Sequence, residues 1–286
     1  MIYLQVIVNG LTLGALYACL AVGFSLVWGV LNVINMMHGS MIILGGYLTY
    51  FAWLHWHVNP LLAIIPVAAL LFMLGWLLQA TMINRLVRQP VLTTLTVTFG
   101  LDLILYNAMN VLFDATPRRV TLDVGTVQLG NLIVATDRMI AFVLALTLTL
   151  ALYLVLRTSR SGRAIVAVRM DRDAASLMGI RVNRVYALTF AIGAGLAGAC
   201  GALMAMVFPI TTSLSGLLLG KAFVVCVIGG LGTVPGALVG GLALGLIESF
   251  SGHWFGSQNA VLIGFVLMLV LLMTRPTGLL GRAGFE

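Results

Sequence analysis

The sequence predicts an all-α, polytopic transmembrane bundle of about eight spans, one of them broken or re-entrant, with a short helix outside the membrane. Three observations carry that expectation. The chain is 61% hydrophobic and only 8% charged, with a mean hydropathy of +1.12, a balance that belongs to membrane proteins. Windows 4–27, 61–83, 139–156 and 258–274 contain no charge, and about 20 such residues cross a bilayer core. The alternation of barrel strands is absent, and helices are the other way to satisfy a backbone in lipid.

In chain order the expected spans are 4–27, 36–53, 61–83, 91–113, 139–156, 185–208, a broken segment 218–250, and 258–274, in one domain over residues 1–286. The opening "MIYLQVIVNG" has no basic stretch before its apolar run, so it reads as a retained first helix and not a cleaved signal. Arginines then set the orientation. Arg85 with Arg88, the loop 157–184, and Arg275 with Arg282 all fall on one side when crossings are counted. The positive-inside rule makes that side the cytoplasm, with the N-terminus outside and the C-terminus inside. The opposite loop, 114–138, balances Arg118, Arg119 and Arg138 against Asp114, Asp123 and Asp137. The net charge of +7 therefore reports orientation, and nucleic acid is not an expected partner.

The segment 218–250 would be about 50 Å long as one helix, against a core of about 30 Å. "GGLGTVPG", residues 229–236, interrupts it, because Gly and Pro break the hydrogen-bond ladder. Two readings stand. A re-entrant pair of half-helices would make Gly230, Gly232 and Gly236 part of a translocation path. A plain tight turn between two short helices would give them no such role. Small residues at four-residue spacing, Gly10/Gly14, Gly195/Ala199, Gly236/Gly240 and Gly241/Gly245, signal close helix packing. "HGSMIILGG" faintly echoes "GTVPGALVGG", too little to establish a repeat.

Ionisable groups within the spans are Asp102, Lys221 and Glu248, functional candidates by their cost in lipid. Snorkelling to the interface is the alternative for Lys221 and Glu248. Both lie near the outer ends of the broken segment, placed to pair across it. Asn32, Asn35 and His38 cluster after the first span, where they either line a path or bond to neighbouring helices.

Enzyme motifs are wanting. "GLLLGKA" has three residues between its glycines and Ala after Lys221, so it is no P-loop, and "GGLGTVPG" has no dinucleotide-binding unit around it. "SLSG" lacks the leading glycine of a nucleophile elbow. His38, His55, His57 and His253 have no zincin spacing, and Cys19, Cys200 and Cys226 sit singly in apolar runs. No catalytic residue, cofactor or metal is expected.

One stretch is out of character. Residues 157–185 carry seven arginines and two aspartates. Within it "MDRDAASLMGI" reads as a short helix: Asp171 as N-cap, Asp173 in the first turn, Gly179 at the C′ position. Ala174, Leu177 and Met178 share one apolar face. Two turns are not stable alone in water, so either an anionic leaflet or a protein partner covers that face.

"SGRAIVAVRMDRDAASLMGIRVNRVYALTFAIGAGLAGACGALM", "NVINMMHGSMIILGGY" and "VIGGLGTVPGALVGG" together resemble the bacterial branched-chain amino acid ABC transporter permeases, closest to the shorter permease of the leucine/isoleucine/valine system. The resemblance covers nearly the whole chain. It implies that 171–179 is a coupling helix docking on a cytoplasmic ATPase, with Asp171, Asp173, Ala174, Leu177, Met178 and Gly179 in that role. It also implies a second permease subunit, two ATP-binding subunits, an extracytoplasmic solute-binding protein facing 114–138, and the bacterial inner membrane. An ion-coupled transporter or channel acting alone, with protons carried by Asp102 or Glu248, is the alternative from a different class.

Overall fold

The computed structural model describes residues 2–280 apart from 88, 115, 123, 124, 130, 131 and 276. Of the expected orientation marks, Arg88, Asp123 and Arg282 lie outside the described residues. Among the described residues eleven α-helices follow one another: α1 (Ile2–Leu31), α2 (His38–Trp56), α3 (Pro60–Thr81), α4 (Val91–Phe113), α5 (Thr136–Thr158), α6 (Arg160–Met170), α7 (Arg172–Leu177), α8 (Val182–Val207), α9 (Ser215–Gly229), α10 (Val234–Phe255) and α11 (Ser257–Thr274). Among the described residues, seven helical segments are long and apolar enough to cross a membrane. The chain is a multi-pass helical bundle.

α1 and α8 form its centre. Almost every residue of both from Gly14 and Val185 onward is buried, which is what helices apolar on all sides require. Lipid offers no hydrophobic drive for helix association, so close backbone approach must supply it. The glycines do this. A Cβ added at Gly14 would lie 2.8 Å from the Cα of Leu242, and one at Gly245 would overlap the backbone of Gly14. The Gly10/Gly14 and Gly241/Gly245 pairs seen in the sequence thus meet each other along the α1–α10 contact. Gly45 and Gly201 bring α2 against α8 in the same manner, and Gly195 packs on Ala68 and Phe72 of α3.

α4 is joined to the bundle differently, through polar bonds. Thr98 Oγ1 donates to the Ile34 carbonyl at 2.9 Å, Ser40 Oγ donates to Asp102 Oδ1 at 2.5 Å, and Thr212 Oγ1 donates to Asn110 Oδ1 at 2.6 Å. Such bonds can bridge a helix contact that small-residue packing does not close. Asp102 is therefore a tie between α4 and α2.

Three features add to the sequence reading. The segment 218–250 is two helices, and at 22 residues α10 is long enough to cross alone; the turn residues Gly230–Thr233 separate them. The stretch 160–170 is helical, burying Gly162, Ile165 and Val168 at i, i+3 and i+6. An antiparallel hairpin, β1 (Thr126–Leu129) with β2 (Leu132–Ala135), lies in the 114–138 connection, Thr126 opposite Ala135. A backbone leaving the membrane is free to pair across strands.

The basic connections gather at one end of the bundle. Asn84 Nδ2, beside Arg85, donates to the Asn183 carbonyl at the start of α8 (3.4 Å), and Leu279 N donates to the Ile228 carbonyl at the end of α9 (2.9 Å). The hairpin marks the opposite end, where Arg118 pairs in antiparallel fashion with Ile210 of the α8–α9 connection.

Candidate functional site

At the basic end, α7 is built as its residues require. Asp171 Oδ1 accepts from the backbone N–H groups of Asp173 and Ala174, both at 2.9 Å, a cap contributing about 1 kcal/mol. Asp173 adds negative charge to the first turn, where the helix dipole favours it. Gly179 takes φ +82°, and the Gly179 and Ile180 N–H groups donate back to Ser176 and Ala175, closing the helix through the left-handed position that glycine occupies cheaply. Ala175 turns inward and is buried; Ala174 is exposed, and Leu177 and Met178 are 89% and 83% exposed. Two large apolar side chains on a capped, two-turn helix thus face outward with none of the described residues over them.

Toward the hairpin end, a cavity of about 540 Å³ opens between α1, α8, α9, α10 and α11. Arg138, Phe208, Pro209 and Leu214 are among its lining residues nearest that end. Leu13, Leu16, Leu217, Leu218, Met204 and Val207 give it apolar walls. Lys221 and Glu248 lie deeper. Lys221 is six residues into α9 and Glu248 seven residues from the end of α10, both about 10 Å below the helix ends at 1.5 Å per residue.

Lys221 Nζ donates to Glu248 Oε2 at 2.9 Å, with side-chain exposures of 9% and 7%. Tyr17 completes the group: its hydroxyl donates to the same carboxylate oxygen at 2.6 Å and accepts a bond from Lys221, whose Nζ also lies 4.4 Å from the centre of the Tyr17 ring. Three helices are tied at one point. The expected pairing of Lys221 with Glu248 is present, and snorkelling to the interface does not describe either side chain. Tyr17 was missed by the sequence reading. Its signal was a phenol inside the charge-free window 4–27, since a buried hydroxyl needs a partner.

The remaining candidates fall elsewhere. His38 is buried in the bundle with Nε2 2.8 Å from the Leu20 carbonyl, and Asn35 Oδ1 accepts from Met37 N at 3.2 Å. Asn32 is exposed at φ +52°. These three bond locally or between helices and do not line the cavity. Nor do Gly230, Gly232 and Gly236. Gly232, at φ +77°, lies against Gly29 near the end of α1, and Gly236 packs on Gly229. The break in the long segment is a turn between α9 and α10 at the basic end of the bundle, made close by glycines. The cysteines are free and buried. Among the described residues no group of three or more His, Cys, Asp or Glu side chains could hold a metal.

Comparison with known proteins agrees with this architecture. The family described as "Branched-chain amino acid transport system / permease component" matches residues 6–273. The high-affinity branched-chain amino acid transport system permease protein BraD of Pseudomonas aeruginosa is 33% identical over 299 residues, 99% of this chain and 97% of that one. The corresponding protein LivH of Escherichia coli is 32% identical over 315 residues, with the same coverage. The probable branched-chain amino acid transport permease protein LivH of Methanocaldococcus jannaschii is 26% identical over 285 residues, covering 93% of this chain and 89% of its own. With a match spanning almost its whole length and full-length relatives sharing about a third of its residues, this chain belongs to the branched-chain amino acid transport system permease family.

Proposed function

We propose that this chain is the membrane-spanning subunit of an ATP-driven ABC importer, carrying branched-chain amino acids or closely related small solutes across the bacterial inner membrane. One observation carries the energy-coupling part: α7 holds Leu177 and Met178 almost fully exposed on a capped helix. An apolar pair of this kind fits the groove of a cytoplasmic protein, and separate ATP-binding subunits are the partner that a permease without nucleotide motifs requires. In this reading the basic end is cytoplasmic, in keeping with the positive-inside rule, and the hairpin end meets a solute-binding protein. A second permease subunit completes the pore. All 286 residues serve as one permease domain, with 157–184 as coupling loop and 114–138 as outer loop.

ATP binding draws the two ATPases together and presses on α7. That helix is continuous in chain with α6 and α5 before it and α8 after it. Displacement therefore reaches the central α8 and switches access from outside to inside, a two-state change whose bias comes from ATP.

Purification from native membranes tests this. Co-elution with ATP-binding subunits, and loss of uptake in a Leu177→Asp/Met178→Asp variant that still inserts, are the expected results. A lone chain that transports solute down an ion gradient would replace the reading with an ion-coupled carrier.

A further inference from the structure

The Tyr17, Lys221 and Glu248 group is more than helix glue needs. A tie between three helices works best in a dry, filled interior, because water and empty space both weaken it. This one borders a cavity of about 540 Å³, within the roughly 300–1,000 Å³ of small-molecule sites. Arg138 stands at the hairpin end of the lining, and the polar groups of Thr12, Ser249 and Asn9 are engaged with the protein itself. Thr12 Oγ1 donates to the Asn9 carbonyl (2.9 Å), Ser249 Oγ donates to the Val6 carbonyl (2.7 Å), and Asn9 Oδ1 accepts from Gln5 Nε2 (3.3 Å). Charge deep in the cavity therefore comes from one cation and one anion, side by side beneath leucine and valine walls.

We infer that Lys221 and Glu248 form an exchangeable ion pair that receives the head group of a zwitterionic α-amino acid, while the apolar walls hold its aliphatic side chain. This rests on the importer reading above and names how the solute is held on its way through. The solute's carboxylate takes Lys221 and its ammonium takes Glu248. One internal ion pair becomes two intermolecular ones, with no change of net charge in the site. Tyr17 stays with Glu248 through its donated bond, so the carboxylate keeps a partner while Lys221 turns away. A solute with only one of the two charges cannot do this, since it would leave either Lys221 or Glu248 buried and unpaired. An uncharged solute has nothing with which to part the pair. Specificity for the zwitterion thus follows from the cost of an orphaned charge and not from the count of contacts.

The pair also clasps α9 to α10, and Tyr17 adds α1. A solute that enters between them releases α9 from α1 and α10 at one point while Tyr17 keeps α1 on α10, which links occupancy to the helix movements of transport.

The experiment is equilibrium binding of radiolabelled L-leucine to the protein purified from its membrane with whatever subunits accompany it, without nucleotide and without a solute-binding protein. Saturable binding is expected. L-Isoleucine should displace the label, whereas L-leucinamide, which lacks the carboxylate, and the α-keto acid of leucine, which lacks the ammonium, should compete roughly tenfold or more weakly. Lys221→Met and Glu248→Gln should each weaken leucine binding by roughly tenfold or more. Tyr17→Phe, which keeps the ring and the ion pair, should weaken it by only about threefold; it covers the case in which the charge variants fail to fold.

Absence of saturable binding to the wild type overturns the proposal, as does equal competition by the singly charged analogues. A preparation that carries ATP-binding subunits yet binds no leucine rejects the ion-pair site and leaves the importer reading intact. Leucine binding by a chain that purifies alone does the reverse.

Discussion

Gly14 and Gly245 sit backbone against backbone, so close that a methyl group on Gly245 would overlap the Cα and N of Gly14. That contact fixes how α1 lies on α10, and with it the distance between Tyr17 and Glu248, each three residues further along its helix. Gly245→Ala should destabilise the protein by about 1–3 kcal/mol through overpacking. Gly100→Ala, on a half-buried part of α4 with open space where the Cβ would go, should change stability by no more than about 1 kcal/mol, in the stabilising direction. Thermal unfolding in detergent compares the two directly. Equal melting temperatures would mean that the α1–α10 contact is looser than this.

The ion pair makes a second stability prediction. Lys221→Met leaves Glu248 buried without its cation, and should cost about 3 kcal/mol. Adding Glu248→Gln removes the orphaned charge, and Tyr17 can still bond to the amide, so most of the loss should return. A double variant whose loss equals the sum of the two single losses would show that the residues stabilise the bundle independently.

For α7, Asp171→Ala removes the acceptor of two backbone N–H groups and should lower local stability by about 1 kcal/mol. Hydrogen exchange at Asp173 and Ala174 should quicken roughly fivefold in consequence. Uptake should fall less than in the Leu177→Asp/Met178→Asp variant, because the apolar pair is still present. The ordering is what matters: an Asp171 variant more damaged than the apolar-face variant would move the docking surface away from Leu177 and Met178.

Orientation is open to a chemical test. Ser161 on α6 and Thr126 on β1 are both exposed, at opposite ends of the bundle. Cysteines at these two positions should react with impermeant thiol reagents from opposite faces of the membrane, Thr126→Cys from outside. The natural cysteines are buried and should contribute little background. Labelling of both sites from one face would contradict the arginine-based topology.

What was legible in the sequence is what depends on neighbours along the chain. Charge-free windows of bilayer length, the arginines at their ends, the Asp171-to-Gly179 frame of a capped helix and the four-residue spacing of glycines are all properties of one segment at a time. Each follows from rules of solvation, dipoles or backbone freedom that need no partner. Even the glycine pairs could be read as packing surfaces, though not as surfaces for each other. The tertiary structure decided the matching. Gly10 and Gly14 chose Gly241 and Gly245; the "GGLGTVPG" break came to rest at the end of the bundle against Gly29; and His38 spent its Nε2 on the Leu20 carbonyl. It also brought Tyr17 to Glu248, 231 positions away in the chain. In lipid the apolar side chains cannot tell one helix from another, so the contacts that do, a few backbone approaches and a few polar bonds, exist only once the helices are side by side.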